Sequence, residues 1–295
     1  MSESRQVGMI GVGLMGHGIA SNLLKTGHRL HFLDHPGNQP VEDLLAAGAE
    51  RHTTARAVAE SAEVVLLCVT GSPQVEAVLF APDGVLEGLA PGTVVIDCST
   101  ALPSSTARVA ERVVAAGGRF MDAAMTRTPK EAAEGRLNLI VGASPTLFEE
   151  WQPLLACFAE TITRAGDTGA GHTLKLVHNF VSLGFSAVLA EATAASRRAG
   201  IADAALLEVL GQGAGAGVIL ERLRPFIEHG DPSAFRFSVA NASKDLGYYH
   251  ATAEELGAPG EVAGAVQARY AAFESSGLTV PELIDELAKG RDESD

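Results

Sequence analysis

Cysteine, positive charge and long apolar runs are all scarce in this chain of 295 residues. The three cysteines, Cys68, Cys98 and Cys157, form no CxxC pair. Neither a disulfide framework nor a zinc pattern follows from such spacing, and a reducing compartment fits it. Lys and Arg number 22 against 36 Asp and Glu, a formal charge of −14. An acidic surface of that kind repels phosphate backbones and anionic lipid, which argues against nucleic-acid and membrane partners. The longest uncharged apolar stretch, Leu176 to Ala190, contains His178, Asn179, Ser182 and Ser186. It is shorter than the ~20 residues of a membrane span and reads as a buried helix. The opening MSESRQ lacks the basic-then-apolar plan of a signal peptide, so a cytoplasmic location is expected. There is no internal repeat and no extended low-complexity tract.

What is present is a globular composition, 46% hydrophobic and 20% charged, in a chain long enough for two domains at roughly 150 residues each. As far as Arg164, short β-branched runs alternate with helical patterns, the signature of a parallel sheet with crossover helices. Strands are expected at Val7 to Val12, Leu30 to Leu33, Val64 to Val69, Thr93 to Asp97, Arg119 to Asp122, Leu137 to Val141 and Thr161 to Arg164. After a glycine-rich joint, AGDTGAG at 165–171, the pattern becomes all helical. One long helix is expected from His172 to Gly200, and further helices over 202–210, 218–226, 238–256, 259–276 and 280–288. The reading is an α/β domain over 1–165 followed by an all-α domain over 166–295.

Directly after the first strand comes Gly11-Val12-Gly13-Leu14-Met15-Gly16, opening a helix. Glycines at 11 and 13 allow a tight turn and close approach of a pyrophosphate, Gly16 allows close helix–strand packing, and the unpaired amides of the helix start hold phosphate. The cofactor-binding turn therefore includes Leu14 and Met15. Asp34 ends the next strand 18 residues after Gly16, near the ~20 at which an acid takes the ribose hydroxyls. A carboxylate there repels a 2′-phosphate, so NAD is preferred, with NADP kept open by His35.

The stretch GMIGVGLMGHGIASNLLKTGH resembles the N-terminal signature of the β-hydroxyacid dehydrogenases, the family of 3-hydroxyisobutyrate dehydrogenase. Further matches follow in order: Asp97-Cys98-Ser99-Thr100 with Pro103, Asp122-Ala123-Ala124, Gly171 to Asn179 with Lys175, and Lys244-Asp245-Leu246. The resemblance implies a Rossmann-like domain, a helical domain built on a long interdomain helix, and NAD(P)-linked hydride transfer to or from a short acid. It places Ser99 and Thr100 on the nicotinamide side, Thr100 toward the cofactor and Ser99 toward the substrate. Lys244 falls in the same cleft, where it can serve both. It also implies a homodimer or homotetramer.

Lys175 and Asn179 stand four apart on a helix, one turn apart on one face. An ammonium and a carboxamide so placed can meet one substrate oxygen. Lys175 is the candidate general acid/base if desolvation or a neighbouring cation brings its pKa toward working pH. Val69 and Thr70, at another strand end and followed by Ser72, are further cofactor contacts; Ser99 and Thr100 could instead cap the helix near Pro103. The segment Asp122-Ala-Ala-Met-Thr126-Arg127-Thr128-Pro129 departs from the family's Asp-Ala-Pro-Val-Ser-Gly-Gly, whose turn binds the substrate carboxylate. Thr126, Arg127 and Thr128 resemble the 3-sulfolactaldehyde reductase branch, also associated with γ-hydroxybutyrate dehydrogenase activity, and an arginine fork suits a sulfonate. The competing reading is a loop arginine paired with Glu131 or Glu134.

No metal site is expected. His17, His28 and His52 read as isolated groups, His172 and His178 flank Lys175 without having to face it, and Trp151 reads as packing. The GQGAGAG at 211–217 reads as a flexible connection. Two other functions fit the fold: an imine reductase, which commonly has Asp or Tyr where Lys175 stands, and a non-catalytic dinucleotide-binding protein. The Lys175–Asn179 pair favours catalysis.

Overall fold

A computed structural model describes residues 4–289. The chain divides into two compact units, Met1–Lys175 and Leu176–Asp295. The division falls within the long helix, because its first turn is held by the first unit: a Cβ on Gly171 would lie 2.5 Å from the Ile140 carbonyl, and the His172 amide donates to Asp122.

The first unit is an eight-stranded sheet in the order β3-β2-β1-β4-β5-β6-β7-β8. Its strands are β1 Gln6–Ile10, β2 Arg29–Leu33, β3 Glu50–His52, β4 Val64–Leu67, β5 Val94–Asp97, β6 Arg119–Thr126, β7 Leu137–Gly142 and β8 Ala159–Gly166. Around them lie α1 Gly16–Lys25, α2 Glu42–Ala46, α3 Ala55–Glu60, α4 Ser72–Phe80, α5 Val85–Gly88, α6 Pro103–Ala115, α7 Pro129–Ala133 and α8 Pro145–Leu155. Both central strands β4 and β5 are buried at every position, as a sheet covered on two faces requires. Their side chains alternate between two cores. Met9, Leu66 and Ile96 join Ile19, Leu23, Phe32 and Trp151 on one face, while Ile10, Val65, Leu67 and Val95 join Val58, Val109 and Val113 on the other. Each fully buried side chain of this size contributes about 1.5–3 kcal/mol relative to exposure.

Two features differ from the sequence reading. Strand β3, with the sequence ERH, was not expected; it is a polar edge strand with no apolar alternation, recognisable only by its pairing with β2. Strand β7 runs antiparallel to β6, with Asp122 opposite Gly142 and Thr126 opposite Asn138. β6 extends to Thr126, and the short connection through α7 cannot make the crossover that a parallel partner needs.

The second unit is helical: α9 Ala170–Arg198, which begins in the first unit, then α10 Asp203–Gln212, α11 Val218–His229, α12 Val239–Glu255, α13 Glu261–Ala271 and α14 Leu283–Ala288. Leu183, Ala187, Leu189 and Ala190 of α9 pack with Leu220, Leu223, Phe226, Val239, Leu246, Tyr270 and Ile284. The Tyr270 hydroxyl donates to the Leu183 carbonyl at 2.9 Å. The helix expected over 259–276 breaks after Ala271 into a 3-10 turn, Glu274–Ser276, closed by Gly277 at φ 76°. At 29 residues α9 is long and apolar enough to cross a membrane by length and composition alone. The buried helix expected from the sequence is only partly buried: Leu183, Ala187, Leu189 and Ala190 face this unit's core, while Val181 and Val188 are exposed.

Candidate active site

The glycine turn after β1 has one demand per glycine. Gly11 has φ 95°, and a Cβ there would meet the Cys68 carbonyl oxygen at 2.2 Å. At Gly16 a Cβ would fall 1.9 Å from the Gly11 carbonyl, whereas at Gly13 the nearest atom would be 3.8 Å away. Two positions exclude a side chain to close the turn, and Gly13 keeps its approach open. Met15 precedes α1 without a side-chain cap, so the first-turn amides point where a phosphate can take them. Leu14 is exposed beside them. Asn38, which sequence reasoning did not single out, holds the turn in place: its Oδ1 accepts from the Val12 amide and its Nδ2 donates to the Leu33 carbonyl. Asp34 follows β2, 3.6 Å from Arg51. These residues fit a dinucleotide.

The ends of β4 and β5 are tied together. The Val69 amide donates to Ser99 Oγ at 3.1 Å, the Ser99 amide to Asp97 at 2.9 Å, and the Leu102 amide to Ser72 Oγ at 2.8 Å. Leu102 is the residue preceding α6, so Ser99 and Thr100 are not its caps; Ser99 is a buried link to the Val69–Thr70 segment. Beneath this link, burial raises the Asp97 carboxyl, and His172 opposes that rise. His172 Nε2 lies 3.9 Å from Asp97 and its Nδ1 is 2.7 Å from Thr106 Oγ1. His172 is thus built into the interior of the first unit.

Midway along β6, Asp122 is fully buried and accepts from the amides of Gly169 at 2.6 Å and His172 at 2.8 Å. Thr126 is half-buried. Arg127 adopts φ 82°, a left-handed conformation unusual for a side chain. Its guanidinium pairs with Glu160 and donates to the Arg136 carbonyl. The partners expected from spacing are otherwise engaged: Glu131 accepts from the Thr128 amide and hydroxyl, and Glu134 pairs with Arg136. Thr128, expected at the substrate, spends both groups holding the start of α7.

Lys175 and Asn179 are both buried on successive turns of α9. Asn179 Nδ2 donates to Asp245 Oδ2 at 2.7 Å, and Lys244 Nζ lies 3.1 Å from Asp245 Oδ1 and over the Tyr248 ring. Asp245, passed over as part of a motif, is the residue that aims the Asn179 carboxamide. His178 Nδ1 is 3.1 Å from Asn179 Oδ1. The histidines read as isolated also have partners: His17 with Asp43 at 3.0 Å, His28 with Cys157 at 3.4 Å, and His52 with His31 at 3.1 Å.

Residues 6–166 match the family described as the NAD binding domain of 6-phosphogluconate dehydrogenase, and residues 169–281 that described as NAD-binding of NADP-dependent 3-hydroxyisobutyrate dehydrogenase. A 2-(hydroxymethyl)glutarate dehydrogenase of Eubacterium barkeri is 34% identical over 84% of this chain and 82% of its own length. The chain belongs to the β-hydroxyacid dehydrogenase family. A 3-sulfolactaldehyde reductase of Escherichia coli is 31% identical over 92% of this chain and 91% of its own. A 3-hydroxyisobutyrate dehydrogenase structure from Salmonella typhimurium superposes with TM-score 0.81 at 28% identity, covering 95% of this chain and 99% of that one. This β-hydroxyacid dehydrogenase is accordingly an oxidoreductase that uses NAD(P).

Proposed function

We propose that the enzyme transfers hydride between nicotinamide and a short anionic hydroxy acid or its semialdehyde, with Lys175 as general acid/base. The observation that carries this reading is the pair of buried polar groups on α9, Lys175 and Asn179, the second aimed by Asp245. When bound, the nicotinamide supplies or accepts the hydride. In reduction Lys175 gives a proton to the carbonyl oxygen as it becomes a hydroxyl; in oxidation it takes that proton back. Asn179, one of whose amide hydrogens is spent on Asp245, donates the other to the same oxygen. Gly11, Gly13, Leu14, Met15, Gly16, Val69, Thr70, Thr100 and Lys244 serve the cofactor, and Asp34 takes the ribose hydroxyls, giving a preference for NADH. Arg51 beside Asp34 tempers that preference, since it offers a cation to a 2′-phosphate.

The favoured substrate pair is 3-sulfolactaldehyde and 2,3-dihydroxypropanesulfonate, with a 3- or 4-hydroxy acid next. Ser99, Thr126, Arg127 and Lys244 are the proposed substrate contacts. The similarity to a 3-sulfolactaldehyde reductase supports the sulfonate. Arg127 binds it by exchanging Glu160 for a substrate oxyanion. The assembly is proposed as a cytoplasmic homodimer or homotetramer, for which the exposed Val181 and Val188 on α9 supply an apolar surface.

The test is a panel of NADH and NADPH with sulfolactaldehyde, succinic semialdehyde, methylmalonate semialdehyde, tartronate semialdehyde and a cyclic imine. The expected pattern is highest kcat/KM for an anionic aldehyde with NADH, and a fall of about 10²–10⁴ in turnover for Lys175→Ala. Arg127→Ala is expected to raise KM for the sulfonate far more than for an uncharged aldehyde. Near-normal turnover by a folded Lys175→Ala variant would overturn the mechanism, and imine turnover alone would overturn the substrate class.

A further inference from the structure

We propose that His31, Glu50 and His52 form a divalent transition-metal site on the β2–β3 edge of the sheet. His31 stands on β2, 21 positions before His52, while Glu50 and His52 share β3, and none belongs to a metal-binding motif. Parallel pairing puts Glu50 opposite His31 and His52 opposite Leu33, and alternation along β3 turns Glu50 and His52 to the same face. Their ligand atoms lie within 4.8 Å of one another. His31 Nδ1 is 3.1 Å from His52 Nε2 and 3.6 Å from Glu50 Oε2. An ion about 2.0–2.1 Å from tetrahedral N and O ligands needs neighbouring ligand atoms about 3.4 Å apart. The two distances from His31 bracket that value, and binding draws the third pair, Glu50 and His52, to it from within 4.8 Å.

The support around the cluster is that of a ligand set. Gln6 Oε1 accepts from His31 Nε2 at 3.0 Å, which leaves the proton on Nε2 and turns the Nδ1 lone pair toward His52 and Glu50. An outer carbonyl fixing a ligand imidazole in this way is a recurring feature of metal sites. Burial also holds His31 in its neutral, ligating form. Arg29 weighs against a cation here and the Glu50 carboxylate offsets it. Two imidazoles and one carboxylate select Zn²⁺, Co²⁺ or Ni²⁺ over Mg²⁺ and Ca²⁺, which prefer all-oxygen shells. Glu50 is largely exposed, so a water can complete the shell. In the metal-free protein His52 Nε2–H donates to His31 Nδ1. On binding, that hydrogen bond breaks and His52 moves its proton to Nδ1, with no net gain or loss.

The experiment uses the untagged full chain, stripped with chelator and titrated with Zn²⁺ by calorimetry and with Co²⁺ by visible absorption. The expected result is one ion per chain, tetrahedral Co²⁺ bands and a raised melting temperature. Glu50→Gln and His52→Asn should each weaken binding at least tenfold, and Gln6→Leu by about 10–100-fold. Glu50 and His52 lie outside the core, so both variants are expected to melt like the metal-free parent. Absence of stoichiometric binding to the parent, or undiminished binding by both ligand variants, overturns the proposal. Catalytic activity is not the readout, so failure of the proposed hydride transfer would leave this result standing.

Discussion

Asp122 and Asp245 are both buried carboxylates, one in each unit, and they are used in opposite ways. Asp122 accepts from two backbone amides, those of Gly169 and His172, so it determines where α9 starts. Asp245 accepts from the Asn179 side chain and faces the Lys244 ammonium, so it determines how a side chain points. The contrast extends to the units themselves. The candidate residues of the first are held mostly through backbone: a glycine turn, a helix start without a side-chain cap and strand ends stitched by Ser99 and Ser72. Those of the second are held through side chains, Asn179 of α9 against Asp245 and Lys244 of α12.

The comparison predicts a separation of effects. The largest is at Asp122: replacement by Ala leaves a buried amide, that of His172, and a part-buried one, that of Gly169, without acceptors, at about 1–3 kcal/mol each. Chemical denaturation should show a loss of about 2–6 kcal/mol, and a loss under ~0.5 kcal/mol would break the comparison. Asp245→Ala should act mainly on catalysis, lowering kcat by about 10–100-fold through a misdirected Asn179, the scale seen when outer partners of functional ligands are removed. If stability falls while kcat per folded enzyme stays constant, Asp245 is structural like Asp122 and the contrast fails.

The smallest effect is a pH dependence near neutrality carried by two histidines of the first unit. Burial lowers the pKa of His28 and of His31 below the ordinary 6.5. A lowered histidine is neutral in the fold while the unfolded chain takes up protons, so stability is complete above pH 6.5 and declines as pH falls toward the folded-state values. Melting temperature should therefore drop on acidification below 6.5, and His31→Asn should flatten the slope. An unchanged slope would exclude His31 as a contributor.

Legibility in the sequence followed the range over which each feature is encoded. The glycine turn, Asp34 and the Lys175–Asn179 pair were legible because chain geometry within one or two turns dictates them. The β-branched runs marked seven of the strands. Strand β3 escaped because its residues Glu50, Arg51 and His52 carry no apolar signal and gain their conformation from β2. The reversal of β7 was hidden in the short link through α7. The partner of Arg127 was misjudged for a related reason: nearby Glu131 and Glu134 were committed to Thr128 and Arg136, leaving Glu160 from β8.

By itself the sequence determined an acidic α/β-then-α protein with a dinucleotide turn and a lysine–asparagine pair on a long helix. Periodicity, glycine spacing and helix register are local properties, and they survive translation into structure unaltered. Only the tertiary structure decided that Asp245 aims Asn179, that His172 turns inward to Asp97 and Thr106, and that His31, Glu50 and His52 converge. Those partnerships depend on which strands and helices lie side by side. Burial then makes each unmet polar group costly enough to select one partner over the others.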